Sequence, residues 1–222
     1  RLAALRPAAP DFALMWDNAY CLHEVYGEFV PFRDMLTLCR EAGNADMVYE
    51  FASTSKITFP GAGVAVMAAS EANLKYLSGL LGAQTISYDK VNQLRHVRFL
   101  QDKAHVLELM QRHAAILRPK FEAVLAALRG IAPLNIASWT EPKGGYFVSC
   151  DAMPGTAKRT LALCAGAGVT MTPAGATYPG GNDPADSNIR IAPSFPPVEE
   201  LEQAMQIFCL ALRMAALEKL GI

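Results

Sequence analysis

The chain has no CxxC pair, no excess of charge of either sign and no apolar run long enough to cross a bilayer, and each absence removes a class of function. Lys and Arg number 20 against 21 Asp and Glu, for a formal net charge of -1. With a pI near 6.5, nothing electrostatic draws it to nucleic acid or to an anionic membrane. The five cysteines, Cys21, Cys39, Cys150, Cys164 and Cys209, are scattered and odd in number, so they cannot all pair within one chain. They read as buried thiols in a reducing compartment, and the chain is expected to be cytoplasmic. The greasiest late stretch, "IFCLALRMAAL", is interrupted by Arg213, short of the roughly 18 apolar residues a spanning helix needs. The opening "RLAALRPAAPDF" has neither a long apolar centre nor a cleavage pattern, so it does not read as a signal peptide. It starts at Arg1 without a methionine and runs at once into a strand-like segment, which reads as a piece of a longer protein. His96, His105 and His113 lie on a helical stretch without i, i+4 spacing or an acidic ligand between them, so no metal site is expected.

What is present can build a core. Of 222 residues, 52% are apolar, enough for one large domain or two modest ones. The mean hydropathy of +0.17 is high for a soluble monomer, which favours an oligomer. "DFALMW" (11–16) is a short apolar run of the kind buried on both faces of a parallel sheet, and it ends at Asp17. A helical stretch around "PFRDMLTLCREAG", closed by Gly43, leads to a second such run, "MVYEFAS" (47–53), just before Lys56. "GVAVMAAS" (63–70) is a third, and Ser70 can cap the helix "EANLKYLSGLLG". Strand, helix, strand in this order implies a parallel pair with a crossover connection, and the carboxyl ends of such strands form the ligand crevice of α/β sheets. From Asn92 to Arg129 apolar residues recur at helical spacing, which predicts one long helix and then a second, broken near Pro119 at a hinge between two lobes. Beyond it a strand pair around "NIASWTEPKGGYFVSCD", a helix "TAKRTLALCAGAG", a Gly/Pro-rich stretch at 173–184, a strand "NIRIAPS" and a last helix from "PPVEELEQAM" suit a smaller α+β lobe.

The informative residue is Lys56, in "FASTSKITFPGAG" (51–63). A lysine is ordinarily a solvated surface cation. Held at a strand end inside a crevice, burial would disfavour its charge, as a nucleophilic amine toward a carbonyl requires. Ser53, Thr54 and Ser55 offer hydroxyls and the following glycines open backbone amides, together a cradle for phosphate. An aldehyde bearing a phosphate satisfies both halves of the motif. Pyridoxal phosphate is such a molecule, and it also needs a carboxylate at its ring nitrogen, for which Asp17 stands at the neighbouring strand end. Tyr20, three residues on, can reach the ring hydroxyl. Taken singly these are ordinary turn residues; their joint order carries the reading.

"DNAY" (17–20), "STSKITFPGAG" (53–63) and "NIRIAPSFPPVEELEQAM" together resemble the second half of a fold-type I pyridoxal-phosphate aminotransferase of the aspartate aminotransferase superfamily. "WDNAY…H" and "DKVNQLRHVRF" are most similar to a divergent bacterial subgroup. The resemblance spans the whole chain. It implies an α/β fold in which residues 1–113 are the second half of a large cofactor-binding domain, a mostly parallel sheet with flanking helices, and 114–222 a small α+β domain. It further implies Lys56 as the Schiff-base lysine, Asp17 at the pyridinium nitrogen, Tyr20 at the ring oxygen, Ser53 and Ser55 at the phosphate, and Arg190 on the substrate α-carboxylate, where a planar bidentate donor is suited. A homodimer and an upstream half of the same protein, carrying the rest of the site, are implied as well. The sequence departs from the family at one point: the arginine usual for the phosphate is missing, and Gly63 and Val64 stand in its place.

The reaction implied is transfer of an amino group between an amino acid, first aspartate or glutamate, and a 2-oxo acid. The stretch 84–98 is the place to look for what reads the side chain. A lyase on the same scaffold, the effector domain of a transcriptional regulator, and a non-catalytic α/β domain are the competing readings. His23 is read as a satisfied loop histidine, and the cations Arg95, Arg98, Lys103, Arg112, Arg118 and Lys120, interleaved with acids, as a solvated helix face. Gly144 and Gly145 read as a tight strand entry; 173–184 reads equally as a mobile flap or a plain loop.

Overall fold

The computed structural model describes all of residues 1–222. They pack as two compact units, one formed by residues 1–23 and 29–110, the other by residues 24–28 and 111–222. The fold is α/β, with a three-stranded sheet in each unit.

In the first unit β1 (Leu14–Asp17) lies parallel to β2 (Val48–Ser53), in register from Leu14 opposite Val48 to Asp17 opposite Phe51. Between them α1 (Met35–Glu41) is started by Asp34, whose carboxylate accepts from the Thr37 amide at 2.8 Å, and the chain leaves it through Gly43 at φ 78°. Alternate residues of the strands point toward α1, so Leu14, Trp16 and Val48 pack with Met35, Cys39 and Met47. The expected parallel arrangement stops there, because β3 (Ala65–Ala69) runs antiparallel to β2. The connection from Ser53 to Ala65 is too short for the crossover that a parallel neighbour requires. Ser70 caps α2 (Glu71–Gln84), as read from the sequence.

The long helical stretch breaks at a different place from the one expected. α3 (Lys90–Leu100) ends at Gln101, whose φ of 54° cannot continue a helix, and α4 (Lys103–Ile131) then runs unbroken through Pro119. Asp102 makes the new start, its carboxylate accepting from the His105 amide at 2.9 Å. A proline inside a helix costs about 3 kcal/mol. Phe121, Val124, Leu125 and Leu128, which follow it on one buried face, contribute about 1.5–3 kcal/mol each and outweigh that cost.

The second unit is an antiparallel sheet of β4 (Ala137–Trp139), β5 (Val148–Ala152) and β6 (Asn188–Ile191), with α4, α5 (Ala157–Gly166) and α6 (Val198–Leu220) around it. On α6 the buried residues Leu201, Met205, Phe208 and Leu212 recur at helical spacing. The short segment 24–28 belongs here because Val25 is buried in this core, its amide and that of Tyr26 donate to the Lys143 carbonyl, and Arg118 donates to the Val25 carbonyl at 3.0 Å. Glu24 forms a bridge with Gly144, and Gly145 at φ 82° makes the tight entry to β5. Arg118 and Lys120, which donates to the Ser194 carbonyl at 2.7 Å, are therefore structural donors, a correction to the solvated-face reading of the cations. The 173–184 stretch is closed on itself by amide bonds from Tyr178 to Gly175 and from Gly181 to Tyr178. No helix is long and apolar enough to cross a membrane.

Candidate functional site

Because β1 and β2 are parallel, their carboxyl ends share one edge of the sheet. Asp17, the last residue of β1, lies directly opposite Phe51, and the Asn18 amide donates to the Phe51 carbonyl at 2.8 Å. Paired and alternate residues share a face, so Asp17, Phe51 and Ser53 stand on the face turned away from α1. Asp17 is exposed, and one of its carboxylate oxygens accepts from the Ala19 amide at 3.2 Å. Tyr20 follows on the same loop, exposed, with its ring 5.7 Å from that of His23 in an edge arrangement. His23 is buried, and its Nδ1 meets the Cys21 carbonyl at 2.8 Å, which agrees with a loop histidine held in place.

Lys56 sits in a turn beyond the end of β2. The amides of Ile57 and Thr58 donate to the Thr54 carbonyl at 2.9 and 2.8 Å, and the loop is closed at its base by a reciprocal pair, Thr54 amide to Val64 carbonyl and Val64 amide to Thr54 Oγ1, each 2.9 Å. Ser53 Oγ donates to Ser55 Oγ at 2.8 Å and accepts from the Ser55 amide at 3.1 Å, so the two serine hydroxyls form one cluster beside the lysine. Lys56 itself is exposed, which corrects the expectation of burial: the turn rises past the last paired residue of the strand and is not roofed by its own loop.

At Gly63, one of the two positions where the phosphate arginine is expected, packing excludes a side chain. A Cβ at Gly63 would lie 2.5 Å from Ser55 Oγ and 2.9 Å from the Ser55 nitrogen, so no side chain fits there while the loop folds back on Ser55. Val64, the other position, already carries a side chain, and nothing in the structure explains why it is not an arginine.

Arg190 lies on the second unit, in the middle of β6 opposite Ser149. Its guanidinium carbon sits 4.6 Å above the Phe147 ring, and its buried Nε has no hydrogen-bond partner in the protein. It borders a cavity of about 540 Å³ that is also lined by Val169, Thr172, Phe195, Glu200 and Phe208. The strand is fixed from one end by polar contacts. Asp183 accepts backbone amides from Ala185, Ser187 and Asn188 at 2.9, 2.8 and 2.8 Å, and Asn188 donates to Asp151 at 2.7 Å and to Ser149 at 2.9 Å. Those amides hold the Asp183 carboxyl below the usual carboxylate range. Burial pushes the Cys150 thiol up to about 12, so it stays protonated at neutral pH and is no nucleophile.

Thus the structure gathers Asp17, Tyr20, Ser53, Ser55 and Lys56 on the first unit and places Arg190 on the second. Sequence reasoning missed Thr58 and Asn92, read Thr54 only as a phosphate hydroxyl and read His96 only as a helical histidine. Thr58 Oγ1 lies 2.8 Å from His96 Nε2, and Asn92 donates to the Ala62 carbonyl at 3.0 Å, so α3 holds the lysine loop. The available signals were two threonines symmetric about the lysine and an Asn–His pair at i, i+4 on α3.

The aspartate amino-transferase profile matches residues 1–221. The chain belongs to that family. An aspartate aminotransferase of Corynebacterium glutamicum is 46% identical over 219 residues, which are 98% of this chain and 51% of that protein. The crystal structure of an aspartate transaminase from the same organism superposes with a TM-score of 0.96 at 45% identity, covering 98% of this chain and 52% of that one. At 24% identity an α-aminoadipate aminotransferase of Thermus thermophilus shares the fold, with a TM-score of 0.74 over 92% of this chain and 51% of that one. The chain spans about half the length of the curated relatives it matches.

Proposed function

We propose that the protein to which this chain belongs is a pyridoxal-phosphate-dependent aminotransferase, acting first on aspartate or glutamate. The observation that carries the proposal is the juxtaposition of Asp17 and the Lys56 turn at one edge of the sheet, at the carboxyl ends of two parallel strands. The donor set suits the cofactor in kind: an amine for an aldehyde, a carboxylate for a pyridinium, and a cluster of two hydroxyls for a phosphate. It lacks one phosphate cation: no side chain fits at Gly63, and Val64 is uncharged. The bound cofactor supplies an electron sink and carries the amino group from one substrate to the next.

In this reading Lys56 Nζ would hold the cofactor through its aldehyde and would serve as the base and acid at the substrate Cα. Asp17 would pair with the ring nitrogen, Tyr20 with the ring oxygen, and Ser53 and Ser55 would hold the phosphate. Arg190 grips the substrate carboxylate; a guanidinium with an unpartnered buried Nε is a donor in want of an acceptor. The remaining phosphate contacts, and the roof over Lys56, are assigned to the part of the protein that the relatives possess beyond the matched half, in a cytoplasmic homodimer. The exposed Met15, Val66, Tyr76 and Val91 of the first unit support such a covering.

The test is a half-reaction screen. The full-length holoenzyme, yellow with absorbance near roughly 420 nm, is mixed with each amino acid in turn without a 2-oxo acid. Rapid bleaching by aspartate or glutamate, with release of the matching 2-oxo acid, is the expected result. A colourless protein, or colour that no amino acid discharges, overturns the proposal.

A further inference from the structure

We propose that His96 is a positioning residue for Lys56 and acts through the hydroxyl of Thr58; this rests on the reading of Lys56 given above. His96 is buried, at 6% exposure, on α3. Its Nδ1 lies 2.9 Å from the Asn92 carbonyl. A carbonyl can only accept, so Nδ1 carries a proton, and in the tautomer protonated there Nε2 is an acceptor. The group facing Nε2 is Thr58 Oγ1, at 2.8 Å.

Thr58 has one hydroxyl proton and three acceptors around it: His96 Nε2 at 2.8 Å, the Thr54 carbonyl at 3.1 Å and Thr54 Oγ1 at 3.3 Å. The shortest of these takes it. The choice matters because the Thr54 carbonyl already receives the amides of Ile57 and Thr58, which fill its two lone pairs. Those two bonds shape the turn that carries Lys56. By accepting the Thr58 proton, His96 leaves them uncontested and fixes Thr58 to α3. Asn92, one turn earlier on the same helix, secures the far side of the loop through its bond to Ala62. The turn is thereby held from outside itself, beside an exposed Lys56 and a buried Ile57.

The experiment compares the wild-type holoenzyme with His96→Leu, His96→Gln, Thr58→Val and the double variant His96→Leu/Thr58→Val. Two readouts are followed: deuterium uptake at the amides of residues 57 and 58, and the split between kcat and KM for the amino acid that bleaches the wild type fastest. His96→Leu and Thr58→Val are each expected to speed exchange at those amides and to lower kcat by about tenfold with KM within about twofold, the pattern of a displaced group acting in the transition state. The double variant is expected to be no worse than either single change, as for two members of one chain. His96→Gln, whose amide oxygen can accept from Thr58, recovers most of the loss. Thr58→Val conserves shape and serves if His96→Leu does not fold. Unchanged exchange and kcat in both single variants, losses that add, or no recovery in His96→Gln would each overturn the proposal. A wild type without a borohydride-sensitive band near roughly 420 nm would instead remove the reading of Lys56 beneath it.

Discussion

Nineteen side chains form one buried cluster in the second unit, from Val25 through Phe121 and Phe208 to Leu212, whereas in the first unit the buried cluster is Met35, Cys39, Met47 and Val48. Yet the proposed covalent chemistry stands on the first. There, order around Lys56 comes from hydrogen bonds: the Thr54–Val64 pair, the serine cluster and the tie to His96. In the second unit a strand embedded in a packed core presents Arg190. Segments that must admit a ligand are drawn from the less densely packed parts of a protein, where the backbone can respond to what binds. A gripping residue has no such need and gains from a rigid support.

Substitutions in the two units are expected to have unequal effects, the largest in the packed core of the second. Phe208→Ala removes a fully buried ring from the larger core and should cost about 3–5 kcal/mol, read as faster amide exchange along β5 and α6. A cost under about 1 kcal/mol, on the scale of a typical surface change, would show that this core is not the source of the unit's stability. Arg190→Lys should raise KM for the amino acid by at least about tenfold, or ~1.4 kcal/mol, with the colour intact, because an ammonium cannot offer the bidentate fork. An unchanged KM would place the carboxylate elsewhere. Val48→Ala, in the smaller cluster, should cost about 1 kcal/mol, seen as faster exchange in β1 and β2.

The mildest effect concerns pH. The folded Asp183 carboxyl is depressed by the amides of Asn188 and Ser187, so its contribution to stability is present above its unfolded value near about 3.9. That contribution is lost as pH falls through the lower folded value. Asp183→Asn should lower stability at neutral pH and flatten its acid dependence. An identical acid profile in the variant would show that the loop leading into β6 does not depend on this carboxylate.

Much of this was legible in the sequence because it depends on local signals. Ser70 announces a helix start, Gly43 an end, and the short apolar runs 11–16 and 47–53 the two parallel strands whose ends carry Asp17 and Lys56. What was hidden depends on partners distant along the chain. Pro119 reads as a breaker until the buried face that follows it is seen, and Gln101, an unremarkable residue by type, makes the actual break through its backbone angle. The antiparallel course of β3 follows from connection length, which the apolar pattern alone does not weigh. His96 was read only as one of three helical histidines, because its role appears only when Thr58, 38 residues away, is brought beside it. The absence of an arginine at 63 and 64 is visible in the sequence, but the approach of the loop to Ser55, which excludes a side chain at 63, is not.

The account stands on Lys56 as the residue that bonds the cofactor. Its most direct test is borohydride reduction of the full-length holoenzyme followed by peptide mapping. A phosphopyridoxyl group on Lys56, in the peptide containing "STSKITF", is the predicted result. A reduced label on any other lysine, or no label on a protein saturated with pyridoxal phosphate, would contradict it.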